Sequence, residues 1–452
     1  MRGIRFPARE GERTVTERKH FKQLVRSRMG KTGESYSTAR RQVIRQSADP
    51  SASQPIPHHF PGDIPVPTAL RALLSHAGVR NPYTRAPFSE AMLFGFDGGI
   101  GAGVFAFHYA KEDFSSFYIA GRHGWQDDAH WGHTALKRLG LAFTVKESSG
   151  AKPGEKHLRE LLQGGRPVMT WVDASGLPYR ALPGSFSGGG YHVLTVFGID
   201  ESAGTALVGD LADDVIPVPL AQLAVARGRI KKFKNRVLII DPPKKLPDLA
   251  TLVRGGVREC VEGLTTCKMK NFRLDAFAAW AERLDGSKAA DSWEKIFPPG
   301  HHLYAGLRSI TEYIEYYGTG GGLCRPIFAE FLEESAEALG DSGLRALADR
   351  YADLGREWTA LAEAALPEAI PAFRETRELL AKKWEGLHTE GGHAAETIGK
   401  CFASLDEHSV RMKTAFPLGA AGSADLRRDL KQRVTALYAK EVAALAELAA
   451  WR

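Results

Sequence analysis

At Asp241 the apolar pattern of this chain changes period, and that change constrains its architecture more than any other feature. Before it, the runs RPVMTWVD, YHVLTVFGID and TALVGDLAD gather β-branched and aromatic residues between glycine- and aspartate-rich turns, which predicts strands. The short turn ESAG predicts antiparallel pairing of the last two. Two helical stretches, PTALRALLSHAG and DAHWGHTALKRLG, precede the strands. Beyond DPPKK, segments such as FRLDAFAAWAERL, LYAGLRSITEYIEYY, IFAEFLEESAEALG and LRRDLKQRVTALYAKEVAALAELAAW carry apolar residues at helical spacing, which predicts a bundle. The expected fold class is therefore α+β over residues 51–241, followed by an all-α helical domain over residues 242–452.

Residues 1–46 hold thirteen Lys/Arg against four Glu, a surplus larger than the net charge of +7 for the whole chain. The basic balance thus belongs to a helical arm over residues 1–50. In it Phe21, Leu24, Val25 and Met29 share a face, Ser35 is placed to cap a second helix, and SADPSASQPIPHHFPGDIPVP reads as a linker. MGKT is not a phosphate loop, because Val25 stands where the first glycine belongs and no strand precedes it. Such a field attracts polyanions in general; without interleaved aromatics it does not single out nucleic acid over an acidic protein. No window approaches 18 uncharged apolar residues and the start has no apolar core, so neither a membrane span nor a secretory signal is expected, and the cytoplasm is the expected location. The four cysteines, Cys260, Cys267, Cys324 and Cys401, form no short metal-binding motif and are expected as free thiols.

Chemistry concentrates in GGGYHVLTVFGIDESAGTALVGDLAD. His192 opens one strand and Asp210 closes the next, so antiparallel pairing brings the two ends side by side. A carboxylate there would hold one imidazole nitrogen and leave the other to take a proton; a half-buried histidine satisfied by backbone is the equally open structural reading. Gly95, Gly98, Gly99, Gly101 and Gly103 surround Asp97 in what reads as a buried loop with apolar shoulders. Asp97, Gly98, Gly99 and Gly101, with Tyr191, are the candidate substrate-binding residues, although the glycines equally suit a tight turn beneath the sheet. Ser89 and Glu90 fit a helix N-cap. His58, His59, His108, His123, His130 and His133 lack a metallohydrolase signature, so no metal is expected. Tyr313, Tyr316 and Tyr317 with Gly320, Gly321 and Gly322 suit either an interdomain cleft or helix packing.

PFSEAMLFGFDGGIGAGVFAFHY, the run from Gly188 to Asp210, and PVPLAQLAVARGRIKKFKNRVLII together resemble the N-terminal domain of the butirosin-biosynthesis H family. TGGGLCRPIFAEFLEESAEALG resembles the uncharacterised helical domain that follows it, and the likeness covers roughly residues 58 to 380. The resemblance implies a papain-like fold, similar to the peptidases that cleave double-glycine leaders, and transfer of an acyl group from a carrier-protein thioester to an amine. It implies no bound cofactor; phosphopantetheine enters as the substrate's arm, and the partners are an acyl carrier protein and a small-molecule amine. The family's His-Cys pair, aligned on Thr68, Ala69 and Leu70, falls at Ile64 and Pro65, and residues 1–259 contain no cysteine. Three readings follow: direct attack by an amine with His192 as base, a hydroxyl nucleophile at Thr68 or Ser89, or a degenerate enzyme kept as a binding module.

Overall fold

The computed structural model describes residues 15–34, 36–47, 58–241 and 245–451. The cap expected at Ser35 and the linker residues 48–57 lie outside them. The arm folds as α1 (Val15–Thr32) and α2 (Tyr36–Ser47). Next come α3 (Pro65–His76) and α4 (Glu90–Phe96), then the antiparallel hairpin of β1 (Ile100–Tyr109) and β2 (Phe114–Arg122). A second sheet, entirely antiparallel, is built from β3 (Phe143–Lys146), β4 (Val168–Asp173), β5 (Tyr191–Asp200), β6 (Thr205–Gly209), β7 (Ile216–Pro219) and β8 (Val237–Ile240), in the order β3-β8-β4-β5-β6-β7. Three helices are threaded among these strands: α5 (His133–Arg138), α6 (Ala151–Gln163) and α7 (Leu220–Arg229).

The regular elements described after β8 are all helical: α8 (Leu249–Thr266), α9 (Asp275–Leu284), α10 (Trp293–Ile296), α11 (His301–Glu315), α12 (Arg325–Leu339), α13 (Ser342–Ala365), α14 (Pro371–Glu390), α15 (Ala395–Arg411) and α16 (Ala420–Trp451), with short 3₁₀ turns between some of them. The fold is thus mixed α+β, a sheet region followed by a helical one. The long α16 shows why sequence selects helix here, since Arg427, Leu430, Val434, Leu437, Glu441, Ala444, Leu445 and Leu448 recur every three or four residues and are all buried.

Strand alternation buries both faces of the six-stranded sheet. Met169, Trp171, Val193 and Leu238 join one core with Leu70 and Leu73 of α3; Val168, Val172, Leu194 and Val196 join another with Leu158 and Leu161 of α6 and Leu223 of α7. The first core does not stop at the sheet. It continues through Phe117 of β2 into Val257, Leu307, Phe328, Leu361 and Leu430 of the helical region.

One expectation is corrected. The glycine-rich segment is not a loop with apolar shoulders: it is α4, a turn at Gly98 (φ 103°) and Gly99 (φ 63°), and strand β1. A side chain at Gly101 would meet the Arg122 carbonyl oxygen at 2.4 Å, and one at Gly103 the Ala120 Cβ at 2.9 Å. The glycines therefore let β2 lie against β1 where their register shifts. The arm's basic residues are not all free to meet an outside partner. Arg40 is buried and paired with Asp213, and Arg41 donates to Asp63 and Glu330, while Val25, Ala39 and Val43 enter the second core.

Candidate functional site

β4 and β5 pair residue by residue, which sets Val172 opposite His192 and Asp173 opposite Tyr191. Asp173, buried at the end of β4, accepts from Ser175 N and Oγ through Oδ1 and from Gly188 N through Oδ2. That clamp fixes the glycine run leading into β5 and so the entry of His192. β6 ends at Gly209, and the next residue, Asp210, comes back beside the histidine.

His192 Nε2 lies 2.9 Å from Asp210 Oδ1. The carboxylate is fully engaged: Oδ1 also accepts from Leu211 N at 2.8 Å, and Oδ2 accepts from Tyr179 Oη at 2.7 Å and from Arg180 Nη2 at 2.7 Å and Nε at 3.2 Å. Arg180 Nη2 also sits 3.0 Å from His192 Nε2. Tyr179 and Arg180 lie in a 3₁₀ turn over Pro178–Arg180 that carried no sequence signal, and the strand pattern alone missed both. Burial by itself would raise the Asp210 carboxyl, but Arg180 and His192 overcome it and hold the group far below the usual carboxylate range. For His192, burial favours the neutral ring; Asp210 pulls the other way, Arg180 opposes Asp210, and the net proton affinity falls. Nδ1 has no hydrogen-bond partner among the described residues.

The N-terminus of α3, where the resemblance expects a nucleophile, is filled from within. Ile64 precedes the helix and Pro65 begins it. Glu90 Oε1 accepts from Asp63 N at 2.9 Å, from Ile64 N at 2.7 Å and from Thr68 Oγ1 at 3.1 Å. A carboxylate therefore occupies the positive end of α3. Burial and neighbouring Asp63 push the Glu90 carboxyl up. Burial pushes Asp63 up too, but His388 and Arg41 hold it well below its ordinary value. Thr68 is buried and also donates to the Ile64 carbonyl at 2.8 Å, so its hydroxyl faces its own helix and Glu90, not an imidazole. Ser89 caps α4, accepting from Met92 N at 3.0 Å and donating to Glu334 at 2.7 Å. Neither hydroxyl is hydrogen-bonded to His192.

Among the other candidates, Asp97 closes α4 and accepts from Ala135 N at 3.0 Å, steadying the start of α5; burial pushes its carboxyl up to about 6. Gly98 and Gly99 pack against His123 and Phe328. Tyr191 is 42% exposed, with Lys232 Nζ 4.3 Å from its ring centroid. His123 pairs with Glu259 at 3.2 Å and His130 with Asp127 at 2.8 Å, as separate couples. Tyr313 packs edge-on to Tyr118, and Tyr316 against Trp384. Cys324 starts α12 in the left-handed region (φ 68°) but is buried, and burial pushes its thiol up to about 12; Cys260 is buried and raised in the same way. Neither is poised as a thiolate.

Residues 66–211 match the family described as butirosin biosynthesis protein H, N-terminal, and residues 219–383 match a domain of unknown function, DUF4872. None of the curated proteins compared with the chain matches it. The two matched segments interlock, because β8 lies within the second and pairs with β3 and β4 of the first.

Proposed function

We propose, for a chain that belongs to the butirosin-biosynthesis-H-like family, that it transfers an acyl group from a pantetheine or carrier-protein thioester to an amine without an acyl-enzyme intermediate. The observation that carries this reading is His192 held by Asp210 through Nε2, with Nδ1 left without a hydrogen-bond partner among the described residues. With Nε2–H donated to Asp210, the Nδ1 lone pair accepts a proton from the attacking amine. The amine nitrogen bonds to the thioester carbonyl carbon, the carbon–sulfur bond breaks, and the thiol leaves with a proton. Positioning and general-base catalysis supply the acceleration, roughly 10²–10⁴-fold from the base alone. Glu90 at the α3 N-terminus supports the absence of a covalent step, since an oxyanion and a carboxylate cannot share one helix end. A papain-like ancestry accords with a histidine at the mouth of a strand that packs on α3.

The same Glu90 contacts favour a second reading, a degenerate enzyme retained as a binding module. His192→Gln separates the two. In transfer from acyl-pantetheine to a panel of amines, the variant should fall at least about 100-fold below wild type with unchanged acyl-pantetheine affinity. Equal rates remove the base role. Binding with no turnover in either protein establishes the second reading, and an acyl adduct in intact-mass spectra overturns the non-covalent route.

A further inference from the structure

Far from His192 in sequence pattern, the tip of the β1–β2 hairpin meets the start of α11. Asp113 Oδ1 lies 3.0 Å from His302 Nε2, and Asp113 Oδ2 lies 3.2 Å from His301 Nε2. One ligand atom from each of the three falls within 4.8 Å of the others, the only such group among the described residues.

Ser115 Oγ stands 2.6 Å from the Ile296 carbonyl oxygen, a separation two oxygens keep only by sharing a hydrogen, and the hydroxyl has just one. It must therefore accept from the two imidazoles beside it, His302 Nδ1 at 3.0 Å and His108 Nδ1 at 2.9 Å. With its hydrogen on Nδ1, neutral His302 turns a bare Nε2 lone pair toward a carboxylate oxygen. Two acceptors at that distance need either a second proton on the ring or a metal cation between them. An outer-sphere hydroxyl that fixes the tautomer of a ligating histidine is how proteins orient such ligands.

We propose that Asp113, His301 and His302 form a divalent transition-metal site, best suited to Zn²⁺, that clips the hairpin tip to α11. Imidazole and carboxylate suit zinc, and tetrahedral bonds of about 2.0–2.1 Å place neighbouring ligand atoms about 3.3 Å apart, close to the separations here. Three protein ligands leave a fourth position for water. Three features oppose the ion. His301 Nε2 also lies 3.2 Å from the Asp113 carbonyl oxygen, a hydrogen bond the ion must displace. The α11 N-terminus carries a partial positive charge, which the full charge of Asp113 outweighs. Lys413 Nζ donates to Asp113 Oδ2 at 3.1 Å, but that side chain is half exposed and free to swing away. No sequence motif marks the site, because Asp113 and His301 lie far apart along the chain.

The test is competition of the full-length, chelator-stripped protein with a chromogenic indicator for Zn²⁺ alone. One equivalent should bind, Asp113→Asn and His301→Ala should each weaken it at least about tenfold, and Lys413→Ala should tighten it. Melting temperature should rise with Zn²⁺ in wild type and not in Asp113→Asn. The more buried His302 is spared, so that both ligand variants stay folded. Failure to take up an equivalent, or equal uptake by wild type and both variants, overturns the proposal and leaves an imidazolium–carboxylate pair.

Discussion

At the scale of the residue, the charge beside His192 decides what that histidine can do. In a triad the carboxylate stabilises the imidazolium. Here the ring is buried, and Asp210 is shared with Arg180, whose Nη2 lies 3.0 Å from the imidazole; burial, aided by Arg180, outweighs Asp210, so the ring loses rather than gains proton affinity. On the proposed mechanism the imidazole is available as base at neutral pH, and transfer should fall only as the pH drops below the ring's ordinary 6.5. Arg180→Met removes the opposing cation while leaving Asp210 in place. The acid limb of the pH–rate profile should then move upward by a roughly tenfold increase in proton affinity, readable also by imidazole NMR titration. An unmoved limb means that Arg180 does not set the proton affinity of the base. The adjacency of His192 and Asp210 was legible because both stand at strand ends whose antiparallel pairing follows from a short turn. Tyr179 and Arg180 were not, since a 3₁₀ turn has no period and its contacts depend on how the chain between β4 and β5 returns.

At the scale of the element, α3 begins on two buried carboxylates of opposite behaviour. Glu90 binds its proton more tightly in the fold than outside it, through burial and the charge of Asp63. Its contribution to stability is therefore fully present below about 4.5 and declines as pH rises toward neutrality. Asp63 is lowered instead, so its contribution is present above 3.8 and lost as pH falls below it. Glu90→Gln keeps an acceptor for Asp63 N, Ile64 N and Thr68 Oγ1 but cannot ionise. Denaturant melts across pH should lose the decline toward neutrality and keep the acid-side loss; a decline that persists in the variant assigns it to another group. Glu90→Ala leaves the Asp63 and Ile64 N–H groups unsatisfied and should cost about 1–3 kcal/mol. The resemblance located this helix end and its missing cysteine, but not the carboxylate that fills it, which arrives from α4. The β1–β2 hairpin was hidden for a different reason: its glycines read as a loop, and only the approach of the Arg122 carbonyl shows why a strand needs them there.

At the scale of the whole molecule, the change of period at Asp241 marks a change of element type, not a break in packing. The apolar core under α3 and β2 is the same one that holds α8, α11, α12, α13 and α16. Arg325 ties these parts together. Fully buried, it donates to Glu441 of α16 at 2.7 Å, to the Gly101 and Gly121 carbonyls of the hairpin, and to the Leu323 carbonyl before its own helix. Glu441 also accepts from Trp358 Nε1 at 2.7 Å. Removing one partner of such a buried pair costs about 3–5 kcal/mol, so Glu441→Ala should lower the unfolding free energy by that order. The loss should appear as one cooperative transition seen alike by strand and helix signals, because the parts share a core. For the same reason a fragment of residues 58–241 would strip Met92 of its contact with Ser335 and Phe117 of its contacts with Trp280 and Trp293, with no partner for the hairpin carbonyls that Arg325 serves. Expressed alone, it should lack near-ultraviolet circular dichroism and a cooperative melt, and bind a hydrophobic dye. A fragment that melts cooperatively at the temperature of the whole chain would show instead that the sheet region is stable without the helices.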